Sequence, residues 1–505
     1  PPIMPGEEFL FEFKGERKRK GFNNGGVDMT VIENGTLIFS SQILPTFGYN
    51  PDRELRQKRT RKKYGLKEKK DSMPAYDDSE GLKNSILGDD ADWVDYEMIM
   101  STDLDQIAMT PGYLQREWNE NGRRYFHYKM DQPIHNIFAF VSGKYSVMKE
   151  VWNGIDLEIL YHPKHNYNLE TMMNSMKKSI EYYSELYGPY PYKQCRIIEF
   201  PRYSAFAVSF PNTIPFSEAI GFVMDVDPED PEDLDMPFWV TAHEMGHQWW
   251  PHQVSGGNVQ GSAFLSEGLS EYSAVSLLRK EKGEKQLRKF LKYELDKYLM
   301  GRAMESKYEP SIVETEGQQY IHYNKAGLIM YTLSDFIGKE RFNNALGDFI
   351  DRFRYKSDPY ANIGTFVETI KNNVPDDLVY LVEDSFEKIT LYENKAKEAS
   401  AIKNSDGTYR VNFTVEAKKV YSDSLGKQTT AILNDWLEVG ILGNVEIDGI
   451  EQEVPIYLKK VMIKDSISTY FFDVNQKPIK AGIDPMSKFV DRDIDDNMIR
   501  VDIKE

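Results

Sequence analysis

Cysteine is nearly absent from this chain: Cys195 is the only one in 505 residues. An internal disulfide and a cysteine-built metal site are therefore excluded. Long hydrophobic runs are also missing. The longest, such as residues 137–141, fall far short of the ~20 residues that span a bilayer. Positive charge is in deficit, with 62 Lys and Arg against 80 Asp and Glu, a net charge of −18 and a pI near 5.1. That argues against a nucleic-acid binder working through bulk electrostatics. Histidine is scarce as well, eight in all, so a histidine pattern carries information. With 40% hydrophobic and 28% charged residues, wholesale disorder, collagen and coiled coil are excluded. The opening Pro1-Pro2-Ile3-Met4 has no basic-then-apolar leader. We expect a processed or excised piece of a longer protein.

At roughly 100–200 residues per domain, the length predicts about three domains. The expected fold class is multidomain α+β. Residues 1–163 read as strands and turns, with candidate strands at 27–32, 37–41, 125–130, 137–142, 145–151 and 155–161. Within them, residues 53–70 hold ten Lys or Arg. A solvated helix or excursion is favoured there over a contact with anionic membrane. Residues 164–395 begin with helical spacing that ends at Gly188-Pro189. Strands at 196–200 and 213–216 follow, then a loop with seven acids between Asp225 and Asp235, read as solvated. From Phe238 to about Asn394 the pattern is helical. Residues 396–505 read as a β-sandwich with strands at 409–417, 436–442, 454–460 and 469–474. The closing stretch 491–497 starts like a calcium loop but lacks its glycine and distal Glu, so a terminal turn is expected.

The chemistry concentrates in Ala242-His243-Glu244-Met245-Gly246-His247. Residues four apart on a helix share a face, so His243 and His247 can address one metal ion. Glu244 between them would reach a water beside the metal rather than the metal itself. Pro251 should end the helix soon after Trp250. A catalytic zinc needs a third protein ligand and an open position. Glu267, on the next expected helix, supplies it, with His252 a nearby rival. Glu271 lies on the same face as Glu267 and can accept the outer N–H of His243 or His247.

These residues resemble the zinc aminopeptidases of the thermolysin-like gluzincins, the aminopeptidase N family. Nineteen residues separate His247 from Glu267, one more than in that family, and the signature is Ser266-Glu267-Gly268. The resemblance implies an N-terminal β saddle, a thermolysin-like α/β catalytic domain and a C-terminal β-sandwich. It implies one zinc per chain and a peptide substrate, with no nucleic-acid partner. Tyr320-Ile321-His322-Tyr323-Asn324-Lys325-Ala326-Gly327 is similar to the family's Tyr-x-Lys-Gly segment, which makes Tyr323 the oxyanion donor and Tyr320 and His322 its alternatives. The stretch from Phe206 to Glu218 is similar to the strand that binds substrate. There Ser209 stands where the family has an amine-binding Glu, and Asn212 and Glu218 are further substrate-binding candidates. The run Gln248-Trp249-Trp250 with Asn258-Val259-Gln260-Gly261 resembles peptidase domains joined to bacterial ABC-type transporter permeases. That implies tethering to a permease segment, with the domain outside the cytoplasmic membrane. The expected function is zinc-dependent peptide hydrolysis, with a zinc-holding peptide-binding module of little turnover as the alternative.

Overall fold

The computed structural model describes residues 4, 6–16, 31–45, 54–55, 57–67, 72–88, 91–227, 230, 233–447 and 450–504. Most of the strand expected over 27–32 lies outside them. Part of the basic run is described and forms a short helix, Lys58–Lys63. Its Arg61 is buried, donating to the carbonyls of Leu55 and Lys67 and pairing with Glu54, while its neighbours face solvent.

The first third is β-rich. Thr36–Phe39, Ala139–Gly143 and Ile107–Met109 form one antiparallel sheet. Glu97–Thr102, Arg123–Lys129 and Tyr113–Glu120 form another.

The site rests on the next sheet. Its strands are β1 (Ser146–Trp152), β2 (Ile155–Tyr161), β3 (Gln194–Phe200) and β4 (Thr213–Ser217), in the order β4-β3-β2-β1. Asn153 and Gly154, both at positive φ, turn β1 back onto β2 in an antiparallel hairpin. The helix α1 (Leu169–Tyr187) then carries the chain across to β3, which lies parallel to β2, and β4 lies parallel to β3. β3 is buried nearly throughout, as a strand covered on both faces must be. The domain boundary expected at 163/164 lies between β2 and α1. Main-chain pairing joins β2 to β3 across it.

The helices α2 (Met236–Gly246), α3 (Leu269–Met304), α4 (Ala326–Ile337) and α5 (Lys339–Phe353) pack beside the sheet. α3 is broken at Gly283, whose φ of 78° no helix contains. One continuous core runs from Tyr96 to Val501. In the last hundred residues, Lys395–Lys403, Tyr409–Glu416, Ile467–Val474 and Asp502–Lys504 form one four-stranded sheet. Asp435–Ile447, Ile450–Ile463, Pro478–Ile483 and Met498–Arg500 form a second. Val411, Phe413 and Val415 of the first and Val439, Ile441 and Ala481 of the second are buried in the same core, a sandwich arrangement. Buried Lys488 bonds Asp335 of α4 at 2.9 Å and Glu438 at 2.8 Å, fastening the sandwich to the helices. Asp491 accepts from the amides of Asn394 and Asp493, so the stretch 491–497 closes as a turn. Among the described residues no helix is long and apolar enough to cross a membrane.

Candidate active site

α2 starts at Asp235, whose side chain accepts from the Phe238 amide, with Pro237 in the first turn. Phe238, Ala242 and Met245 are buried on one side, and α1 clamps the helix through Ser175 to the Phe238 carbonyl and Tyr183 to the Ala242 carbonyl. The regular helix ends at Gly246, earlier than Pro251 suggested. The amides of Trp249 and Trp250 both turn onto the Gly246 carbonyl and tighten the chain. His247 keeps helical φ/ψ, so the i, i+4 alignment with His243 survives.

The third carboxylate comes from a π-helical turn, Phe264–Gly268, that leads into α3. There Glu267 Oε2 lies 3.4 Å from His243 Nε2 and 3.3 Å from His247 Nε2. Close approach of the elements depends on two missing side chains. A Cβ on Gly246 would lie 3.1 Å from the Ser270 Cα, and one on Gly327 would meet the Glu271 Cγ at 2.8 Å.

The other nitrogen of each imidazole is engaged. His243 Nδ1 bonds Glu271 at 2.9 Å, and His247 Nδ1 donates to the Trp250 carbonyl at 2.6 Å with Ser270 Oγ 2.9 Å away. Both Nε2 atoms thus face Glu267. Glu267 Oε2 is buried without a hydrogen-bond partner. Two imidazole nitrogens and a carboxylate oxygen, within 4.8 Å of one another, are a donor set that fits a four-coordinate zinc with one open position. The local field agrees. Burial works against charge on His243, but Glu267 and Glu271 outweigh it and hold the imidazole well above its ordinary range. Burial also pushes Glu267 up, yet His247 and His243 keep it well below the usual carboxylate range. The pocket favours positive charge.

Glu244 is 5% exposed and its Oε2 has no partner. Burial raises its carboxyl, tempered by His247 and His243. Tyr323 sits on a second π-helical turn, Tyr320–Lys325, with its ring stacked on His243 at 5.8 Å between centroids. Burial and then Glu267 push its phenol far up, so it is a neutral donor. Of the alternatives to Tyr323, Tyr320 stacks on Tyr298, and buried His322 packs against the Tyr323 ring at 5.0 Å. A cleft of about 1040 Å³, walled by Met304, Tyr308, Gln318, Tyr320 and Asn324, opens beside this turn.

His252 is not a ligand. Its Nε2 bonds the Ser209 carbonyl at 2.9 Å, and burial with His135 nearby lowers it to about 3. Ser209 belongs to an edge strand that turns back onto β4, bonding through Phe206, Val208 and Phe210. Its hydroxyl is engaged by Gln248 at 2.5 Å. Asn212 needs correction as a substrate-binding residue. It is fully buried at positive φ, and its side chain lies against Gln194, Thr213 and the Gly112 amide, which leaves nothing for a ligand. Glu218 faces His165 and Arg202 rather than the His243 cluster. Sequence reasoning missed Gln248, which staples the edge strand to α2 through Ser209 Oγ, the Phe210 carbonyl and the Asn212 amide. It also missed Ser270 and Glu294, the latter fully buried and bonded to Asn324. Adjacency to His247 and Glu267 was the only signal for Gln248 and Ser270, and Glu294 had none.

Residues 171–384 match the Peptidase family M1 domain. Over 215 residues the chain is 22% identical to endoplasmic reticulum aminopeptidase 2 of Homo sapiens, covering 41% of this chain and 22% of that protein. Over 212 residues it is 21% identical to aminopeptidase M1-C of Oryza sativa subsp. japonica, covering 40% and 24%. The match thus spans less than a quarter of either curated relative. Among solved structures, a variant M1 zinc metallopeptidase of Deinococcus radiodurans aligns with a TM-score of 0.46 at 13% identity, over 59% of this chain and 65% of that one. The same variant bound to a Tyr-Ser-Ala substrate aligns with a TM-score of 0.46 at 14% identity, over 59% and 64%.

Proposed function

We propose that this chain, whose residues 171–384 match the Peptidase family M1 domain, is a zinc metallopeptidase, with removal of N-terminal residues as the expected mode. One observation carries the reading: Glu267 Oε2 lies within 3.4 Å of both His243 Nε2 and His247 Nε2, and the neighbouring Glu244 is buried with an unpartnered Oε2. His243, His247 and Glu267 would hold one zinc. When bound, zinc supplies Lewis acidity, activating water and polarising the scissile carbonyl. Glu244 takes the proton of the attacking water and later hands it to the leaving amine. Its raised affinity for protons suits a base that must also act as an acid. Tyr323 donates from its neutral phenol to the oxyanion, where charge develops only in the transition state. On this edge segment, Ala207 lies between Phe206 and Val208, which bond to β4, so its backbone groups face outward, while the Ser209 carbonyl is held by His252. An extended peptide can add there as a further strand.

The mode of cleavage turns on Ser209, which brings no charge for a free α-amine. Incubating the zinc-loaded protein with matched free and N-acetylated peptides, read by mass spectrometry against Glu244→Gln, tests it. Glu244-dependent loss of single N-terminal residues from free peptides alone supports aminopeptidase action. Internal cuts in both would make it an endopeptidase. No cleavage with zinc confirmed in place would overturn the enzyme reading in favour of a peptide-binding module, to which the engaged Ser209 hydroxyl lends weight. Tethering to a membrane permease, on the extracytoplasmic side, is the accompanying proposal, supported by the resemblance of residues 248–261.

A further inference from the structure

The parallel pairing of β2, β3 and β4 sets their C-terminal ends side by side. Each end delivers a metal-competent side chain. His162 follows β2 directly and His165 lies three residues beyond, Glu199 is the penultimate residue of β3, and Glu218 follows β4. None of these residues belongs to the peptidase cluster.

We infer that His165, Glu199 and Glu218 form a second divalent-cation site, with His162 at its rim. One ligand atom from each of the three lies within 4.8 Å of the others. His165 Nδ1 bonds Glu199 Oε1 and stands 3.7 Å from Glu218 Oε2. Glu199 is only 3% exposed. Its second oxygen accepts from the His162 amide at 2.5 Å, which fixes the carboxylate's direction. The His162 ring lies 4.8 Å from the His165 ring, and its Nδ1 is buried without a hydrogen-bond partner. Arg202 approaches the opposite oxygen of Glu218, Oε1, at 3.8 Å, leaving Oε2 turned to the cluster. Two carboxylates meet here with no Lys or Arg on Glu199 among the described residues. Among the described residues the only positive partners are the His165 imidazole on Glu199 and Arg202 at 3.8 Å on the far oxygen of Glu218, and a divalent ion held by all three side chains would satisfy both carboxylates. Imidazole with carboxylate and no thiolate suits zinc or a neighbouring first-row ion. Calcium, which needs six to eight oxygens, is disfavoured by the imidazoles. The part-exposed His165 and Glu218 give the ion its entry path.

The test isolates this site from the peptidase centre, so failure of one reading is separable from failure of the other. The double variant His243→Ala with His247→Ala is stripped with chelator, loaded with zinc chloride, gel-filtered and assayed for metal. We expect about one zinc per chain retained, against two in the wild type. Adding Glu199→Gln should remove it. Because Glu199 is buried, Glu218→Gln at the partly exposed ligand serves as a second variant, expected to weaken zinc binding about tenfold or more in a competition titration while the circular dichroism spectrum is unchanged. A double variant that emerges without zinc overturns the inference, as does one whose retained zinc is indifferent to Glu218→Gln.

Discussion

Two clusters of histidine and glutamate sit in this molecule, assembled in opposite ways. The His243–His247–Glu267 cluster is built on helices within 25 residues of chain, and each imidazole has a dedicated partner behind it, Glu271 for one and the Trp250 carbonyl for the other. The His165–Glu199–Glu218 cluster is built on three strand ends spread over 54 residues, and its histidine bonds a carboxylate of its own set. Beside the first stand a buried carboxylate, Glu244, whose Oε2 has no partner, and a neutral phenol, Tyr323, stacked on His243. Around the second the neighbours are His162 and Arg202, neither set to move a proton onto a substrate. Like donors thus suit different work. What distinguishes a catalytic arrangement is the machinery beside the ligands, more than the ligands themselves.

That difference can be measured. Glu244→Gln should lower kcat by about 10³-fold or more while zinc content and KM stay near wild type, because a positioned base contributes that much and the amide keeps the shape. An unchanged kcat would remove the functional distinction between the clusters. Tyr323→Phe should lower kcat by about 10²-fold, the scale of one oxyanion donor, with zinc content unchanged. Glu271→Gln should weaken zinc affinity about 10- to 100-fold in chelator competition, since it orients His243 without touching the ion. The last test reads stability rather than activity and concerns the buried carboxylate of Asp491. Burial first, then the neighbouring Asp484, pushes the Asp491 carboxyl up to about 7 against the bonds from Asn394 and Asp493. The folded state therefore holds this proton more tightly than the unfolded chain, whose carboxyl titrates near 3.8. Its contribution to stability is full below that lower value and is lost as pH rises toward 7, with a slope of at most about 1.4 kcal/mol per pH unit. Urea unfolding at pH 5 and pH 7 should show Asp491→Asn flattening this decline.

Legibility from the sequence followed the range of the interactions. The helix α1, the strand β2 and the hairpin strands of the sandwich lay where periodicity put them, because amphipathic spacing is local. The pairing of β2 with β3 was not legible, because it is written across an intervening helix of 19 residues. Asn212 looked available next to a substrate strand and is buried, a consequence of which side of the hairpin packs on Gln248. His252 was open as a ligand until its bond to the Ser209 carbonyl settled its direction.

By itself the sequence determined that His243 and His247 share a face with Glu244 between them, since a helix fixes the direction of residues one to four positions apart. It also determined the absence of thiolate ligands, leaving nitrogen and oxygen donors. Only the tertiary structure decided that Glu267 reaches both histidines, because that depends on how closely α3 approaches α2 at Gly246. Only it decided that four residues from three strand ends stand together, because hydrogen-bonded register, not spacing along the chain, puts parallel strand ends side by side.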